Sequence, residues 1–262
     1  MMVHYKAIVV YNKFLNESAS YNSLKKFKNI IIYDNSDNPW RNSNKDLCRK
    51  MGYEYITHDK NTGLSIAYNE IIKKVQQMNE QFYISWFDDD TTIPDEYFKA
   101  MEYWIHQNKY DVLIPIVMDN VGILSPSYIW KNFYPIRVKQ IQNLNTNVTA
   151  INSGLCVSWE VYEKISYNEK LFLDYIDHTF FNELRENKYT FKIVNTTLEQ
   201  SFSETSNQTK EQAEKRFIIY AKDFSTAFSG WYTKLFLLVR AAKKSLKYRS
   251  INFVKIAWRN IL

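Results

Sequence analysis

Phe82-Tyr-Ile-Ser-Trp-Phe-Asp-Asp-Asp90 decides how this chain folds: an aromatic-rich apolar run ends abruptly in three consecutive carboxylates. Such a run reads as a strand buried on both faces. Pro94, just beyond it, is well placed for the first turn of a helix over residues 95–106. Working outward, β-rich runs at residues 5–11, 29–33, 53–57 and 111–115 alternate with helical patterns near 18–27, 44–51 and 64–75. That rhythm specifies βαβ units and a mainly parallel sheet flanked by helices. Ligands of such sheets gather beyond the carboxyl ends of the strands, where Asp88, Asp89 and Asp90 lie. After Pro115 the alternation breaks: residues 120–124 look strand-like, 126–147 a loop, 175–187 a helix and 189–194 a short strand, with a helical pattern from Gln208 onward.

The 262 residues are 45% hydrophobic and 16% aromatic, enough for a substantial core. Cys48 and Cys156 stand far apart without a CxxC partner, which argues against a zinc site or a disulfide framework and fits a reducing compartment. Residues 1–11 lack the apolar stretch of a secretion signal, and the longest clean apolar run near the C-terminus, 235–239, is too short for a bilayer. A cytoplasmic location is therefore expected. The glycines, Gly52, Gly63, Gly122, Gly154 and Gly230, cannot form a GxGxxG or a Walker loop, which leaves carboxylates and a metal as the route to a diphosphate.

Three constellations could carry chemistry. Adjacent like charges at 88–90 are costly unless a cation or donors compensate them, and Mg²⁺ or Mn²⁺ prefers such oxygen ligands; a solvated turn capping the next helix is the plain alternative. Asp174, Asp177 and His178, spaced i, i+3, i+4, would share one helix face, either as a general base beside a His or as ordinary first-turn acids. Asn61-Thr-Gly63 leads into a helix, where Gly63 could let backbone N–H groups approach a phosphate or sugar, or merely serve a capped helix start.

Taken together, Val9-Val-Tyr-Asn12, Tyr33-Asp-Asn-Ser36, Asn61-Thr-Gly63 with Ala67 and Asn69, Asp88-Asp-Asp90, Asn152-Ser-Gly154 and Leu171-Phe-Leu-Asp-Tyr-Ile-Asp177 resemble family 2 glycosyltransferases of the GT-A fold. Within them the order is similar to the rhamnosyltransferase-like branch of bacterial polysaccharide synthesis. The resemblance spans roughly residues 5–204. It implies Tyr11 and Asp34 near the nucleoside, Asn61, Gly63 and Asn69 in the donor pocket, and Ser153 and Gly154 near the sugar. Asp88 and Asp89 would face the nucleotide, Asp88 and Asp90 a divalent Mn²⁺ or Mg²⁺, and Asp177 would be the base of an inverting transfer. Gln200 stands where relatives often carry a metal-binding His, and it would hold the metal more weakly. Glu183 replaces an Arg common six residues past the base, with Arg185 two residues on. The implied reaction moves a hexose from a dTDP- or UDP-linked donor to a lipid-linked oligosaccharide. The other reading is a catalytically silent, nucleotide-binding module.

On this reading residues 1–205 form the catalytic domain, with a nucleotide-sugar half at 1–118 and an acceptor half at 119–205, and 206–262 form a basic helical tail. Residues 205–262 hold twelve Lys/Arg and three Asp/Glu, a balance of +9, which leaves −3 for the first 204. Phe228, Trp231, Leu235, Leu238, Ala242 and Leu246 recur at helical spacing, with Arg240, Lys243, Lys244 and Lys247 on another face. Such a helix either lies on an anionic inner leaflet or packs its apolar stripe on the catalytic domain. Nucleic acid is a poorer partner, because no recognition module accompanies the basic tail.

Overall fold

A computed structural model describes residues 2–144, 147–200 and 208–261. In chain order the first half runs β1 (Val3–Val10), α1 (Ala19–Leu24), β2 (Ile30–Asp34), α2 (Trp40–Met51), β3 (Glu54–Thr57), α3 (Leu64–Met78), β4 (Phe82–Asp88), β5 (Thr91–Thr92), α4 (Asp95–Gln107) and β6 (Val112–Asp119). Then follow β7 (Gly122–Ser125), β8 (Ser127–Trp130), β9 (Tyr134–Arg137), β10 (Val148–Thr149), β11 (Cys156–Ser158), α5 (Trp159–Tyr162), α6 (Ile176–Glu186) and β12 (Phe191–Gln200). Three helices close the chain: α7 (Lys210–Ala227), α8 (Trp231–Tyr248) and α9 (Asn252–Ile261).

The main sheet has the order β3-β2-β1-β4-β11-β6-β12-β5, with β7 on the flank of β6. β1 lies parallel to both β2 and β4, whereas β11 is inserted antiparallel between β4 and β6. Both faces are apolar: Tyr5, Ala7 and Val9 of β1 point into one core with α3 and α6, while Ile8 and Val10 point into another with α1 and α4. Burial on two sides is why these strands read as continuous apolar runs. Helix ends follow local chemistry, with α2 stopping at the left-handed Gly52 and α4 at the left-handed Asn108.

Three expectations need correction. Residues 126–147 are not simply a loop, because β8 pairs with β9 and with β10 in a separate antiparallel sheet. These strands are only two to four residues long, too short to show a periodicity. The strand expected at 189–194 continues to Gln200, with Val194, Thr196, Leu198 and Gln200 buried at alternate positions. Two of those four are polar, which masks the alternation. Asp174 lies outside α6, since Tyr175 is the left-handed residue preceding that helix, so Asp174 and Asp177 do not share a helix face.

The last three helices build a third core around Phe217, Phe224, Leu237, Ala241 and Phe253, and Phe133, between β8 and β9, packs into it. α8 turns Thr233, Leu237 and Ala241 inward. The stripe read from the sequence faces mostly outward: Trp231, Leu235 and Leu246 are 77%, 53% and 81% exposed. Arg240 covers the Tyr220 ring at 4.3 Å, whereas Lys234, Lys243 and Lys247 remain exposed. The boundary expected at 205/206 lies outside the described residues.

Gly154 tests this packing. A Cβ there would lie 2.1 Å from Leu198 Cδ1 and 2.9 Å from Pro115 Cγ, at a φ of +79°. Gly52 has φ +71° and nothing within 4 Å of its would-be Cβ. In denaturant unfolding, Gly52→Ala should cost about 1 kcal/mol of left-handed strain. Gly154→Ala should cost an additional ~1–3 kcal/mol from overpacking.

Candidate active site

The site begins where β4 ends. Asp88 is the last residue of that strand, and the turn after it is gripped from outside by the start of α1: Ala19 N–H and Ser18 Oγ both donate to the Asp89 carbonyl, at 3.0 and 2.9 Å. Ser20 Oγ donates to the Asp88 carbonyl and, at 2.9 Å, to that of Thr91. The two-residue β5 pairs antiparallel with the end of β12, in a register that sets Gln200 opposite Thr91. Gln200 thereby reaches the acidic turn, its Nε2 donating to Asp88 Oδ2 at 3.4 Å and Asp90 Oδ1 at 3.2 Å. Lys13 pairs with Asp89 at 2.8 Å. Asp89 is thus paired with a cation, while Asp88 and Asp90 share the donor of one neutral amide.

Asp177 enters from the first turn of α6. Its Oδ2 accepts the Asn152 N–H at 3.1 Å, and the hydroxyl of the next residue, Ser153, donates to Asp88 Oδ2 at 2.5 Å. Consecutive residues of one loop therefore hold the two acids. Burial, opposed by the Ser153 hydrogen bond and reinforced by Asp90 and Asp89, pushes Asp88 up to about 6. Burial and then the charge of Asp88 push Asp177 up to about 7. The positive end of α6 favours an ionised Asp177, and desolvation outweighs it. His178, buried and near Arg185, is lowered to about 4 and remains neutral at pH 7, with Nδ1 2.8 Å from Thr149 Oγ1. Beneath the acids lies an aromatic floor, in which Tyr68 meets Trp86 and Tyr167 at 4.8 Å and Tyr167 stacks on Phe180 at 4.3 Å.

A cavity of about 650 Å³ opens onto this centre, lined among others by Tyr11, Asn61, Gly63, Asp88, Asp89 and Arg216. Tyr11, Asn61, Gly63, Asp88 and Asp89 were expected there. Asp34 is fully buried and takes hydrogen bonds from Ser36 N–H, Asn44 Nδ2 and Tyr55 OH, so it braces the sheet edge. Asn69 holds the backbone of Tyr167 from both its amide atoms. Gly154 is packed between Leu198 and Pro115. Gly63, besides lining the cavity, permits close approach of the chain: its would-be Cβ lies 2.8 Å from the Phe172 carbonyl, which accepts the Leu64 N–H. Arg185 donates to the Val148 carbonyl at 2.6 Å and fastens the small sheet to α6. A smaller cavity, about 140 Å³, is lined by Ser125, Arg137, Thr149, Ile151 and His178.

Two side chains here were invisible to sequence reading, Arg216 and Asp223, both on α7. Asp223 is fully buried and accepts the backbone N–H groups of Phe172, Leu173 and Asp174 at 2.8–3.1 Å. The readable signal on α7 is its capping box, Thr209 with Gln212, which marks a helix start but no function.

The family model described as glycosyl transferase family 2 matches residues 7–159. The chain belongs to glycosyl transferase family 2. The matched span contains the second half of β1, the acidic turn and the Asn152-Ser153 loop, and stops before Asp177. Solved GT-A structures share the fold: S. aureus TarS is 14% identical over 94% of this chain and 44% of its own, at a TM-score of 0.55. GalNAc-T7, solved with UDP, GalNAc and Mn²⁺, is 12% identical over 99% of this chain and 54% of its own, at 0.63. A TarS structure in complex with UDP aligns at 0.56, with 14% identity over 96% of this chain and 72% of its own. The chain thus spans about half the length of the first two. No curated protein matches it.

Among the described residues no three His, Cys, Asp or Glu side chains converge to hold a metal. The donor set at the acidic turn nevertheless suits a hard cation. Gln200 Oε1 is buried without a hydrogen-bond partner beside Asp88 and Asp90, so an amide flip would present a third oxygen. Gln200→His should therefore tighten Mn²⁺ binding, read by calorimetry, and Asp90→Asn should weaken it by about tenfold or more.

Proposed function

We propose that this protein is an inverting glycosyltransferase that moves a sugar from a nucleoside diphosphate to an acceptor hydroxyl. The observation that carries the reading is the loop in which Asn152 holds Asp177 and Ser153 holds Asp88. It couples a candidate base to the acids of the diphosphate side. The UDP in the GalNAc-T7 and TarS structures supports a uridine or related nucleotide as the donor handle. The sugar is a hexose such as rhamnose, and the acceptor a lipid-linked oligosaccharide entering beside His178, Thr149 and Arg137, as in capsular or surface polysaccharide assembly.

In the transfer, an acceptor oxygen loses its proton to Asp177 and attacks the anomeric carbon as the bond to the diphosphate oxygen breaks, which inverts the centre. The nucleoside diphosphate leaves with the bonding pair. Asp88 and Asp90, with Gln200, would hold Mn²⁺ or Mg²⁺, whose positive charge neutralises the departing phosphates. The buried aromatic floor of Tyr68, Trp86 and Tyr167 limits water on one side of the reacting centre. Tyr11 and Asn61 flank the nucleoside end of the cavity.

The exposed apolar stripe of α8 and its flanking Lys234, Lys243 and Lys247 complement the lower leaflet of a membrane rich in anionic lipid. Among the described residues no helix is long and apolar enough to cross a membrane; on this proposal α8 would lie along the membrane surface, at the level of a lipid-linked acceptor. The catalytically silent alternative rests on Gln200 in place of a His, and it predicts binding without turnover.

Asp177→Asn should lower turnover by about 10²–10⁴-fold while nucleotide affinity is kept; unchanged turnover removes Asp177 as the base. Because Asp177 acts ionised and its carboxyl sits at about 7, kcat/KM should climb with pH through that region. The sign for stability is opposite: a raised carboxyl pKa favours the folded state below the ordinary carboxylate range, and that gain is lost as pH rises to about 7. Sedimentation with phosphatidylglycerol vesicles should be strong, weaker with phosphatidylcholine alone, and lost in the Leu235→Glu, Leu246→Glu double variant.

A further inference from the structure

The donor cavity has an unexplained cation. Among its described lining residues Arg216 is the single positively charged one, and the same lining carries Asp88 and Asp89. It comes from α7, beyond the span of the family match, and its guanidinium grips Asp174 with both arms: Nη2 to Oδ1 at 2.7 Å and Nη1 to Oδ2. The carboxylate of that pair is largely covered, 17% exposed, while the arginine side chain remains 41% exposed. Lys13, the nearby lysine, is engaged with Asp89. The backbone of Asp174 is fixed in turn, since its N–H donates to the buried Asp223 of α7 at 2.8 Å.

We infer that Arg216 is a diphosphate-binding residue, held ready by Asp174 and delivered to the donor cavity by the C-terminal helices. The inference rests on the nucleotide-sugar reading of the cavity. A planar guanidinium matches phosphate oxygens as it matches a carboxylate, with two parallel charge-assisted hydrogen bonds. A diphosphate placed beside Asp88 meets negative charge there, and Arg216 supplies compensation from within the same cavity lining. Its five N–H groups allow it to keep one bond to Asp174 while turning others to phosphate. The same helix ties down residues 172–174, which lead directly into the first turn of α6 and Asp177. α7 is therefore part of the donor site as well as part of a surface helix bundle.

Calorimetry on the full chain separates this role from a structural one. The probes are the tightest of UDP, GDP and dTDP, and its uncharged nucleoside. Arg216→Gln should weaken the diphosphate by about ten- to a hundredfold, the range of one or two charge-assisted hydrogen bonds, and leave nucleoside affinity unchanged. Arg216→Lys should fall between. Asp174→Asn removes the charge of the pair but keeps the cation and an acceptor oxygen that can still hold the guanidinium in place, so it should retain diphosphate affinity. Equal binding by Arg216→Gln and wild type overturns the inference, as does an equal loss in Asp174→Asn, which would make the pair a brace for α7. Failure of wild type to bind any of the three diphosphates instead overturns the nucleotide-sugar reading itself.

Discussion

The site depends on one short loop that lies between two carboxylates. Asn152 donates its backbone N–H to Asp177, and Ser153 donates its hydroxyl to Asp88. Neither acid could be held at this distance from the core without such a partner, because burial raises the cost of charge on both. The loop is itself placed by the antiparallel β11, which threads between β4 and β6, and by the Gly154 N–H bonded to the Trp86 carbonyl at 2.6 Å. A parallel sheet supplies the acidic turn, and a single antiparallel insertion brings the second acid to it.

Much of this was legible in the residues. The apolar run before Asp88 gave the central strand, and the alternation of periods gave the helices around it, because both faces of those strands are buried. Asp177 and Ser153 were legible through ordered motifs rather than through periodicity. What escaped did so for physical reasons. The second half of β12 carries Thr196 and Gln200 on its buried face, so hydrophobic alternation fails where the strand reaches the site. The β8–β9 pair is short and mostly exposed. Arg216 stands on a helix whose sequence marks only its cap, and nothing local connects it to Asp174.

The tail shows that a helical apolar spacing can be real without marking the face that packs. Helical spacing at Trp231, Leu235 and Leu246 is real, yet the row that packs inward is Thr233, Leu237 and Ala241, whose smaller and more polar members look less like a core. The bundle buries its own aromatic residues around Phe133 and leaves the larger hydrophobic stripe outside. An outward apolar stripe flanked by lysines is the surface on which the proposed membrane contact rests. The same bundle sends Arg216 and Asp223 of α7 back toward the acidic turn and carries the exposed stripe on α8.

The most direct test of the transferase account is turnover of a panel of UDP-, GDP- and dTDP-linked sugars with Mn²⁺, followed by mass spectrometry of the released nucleotide. The account predicts that at least one donor yields free nucleoside diphosphate, faster when a lipid-linked acceptor is added. Donor binding by the folded protein without release of nucleoside diphosphate from any donor, with acceptor present, would contradict it.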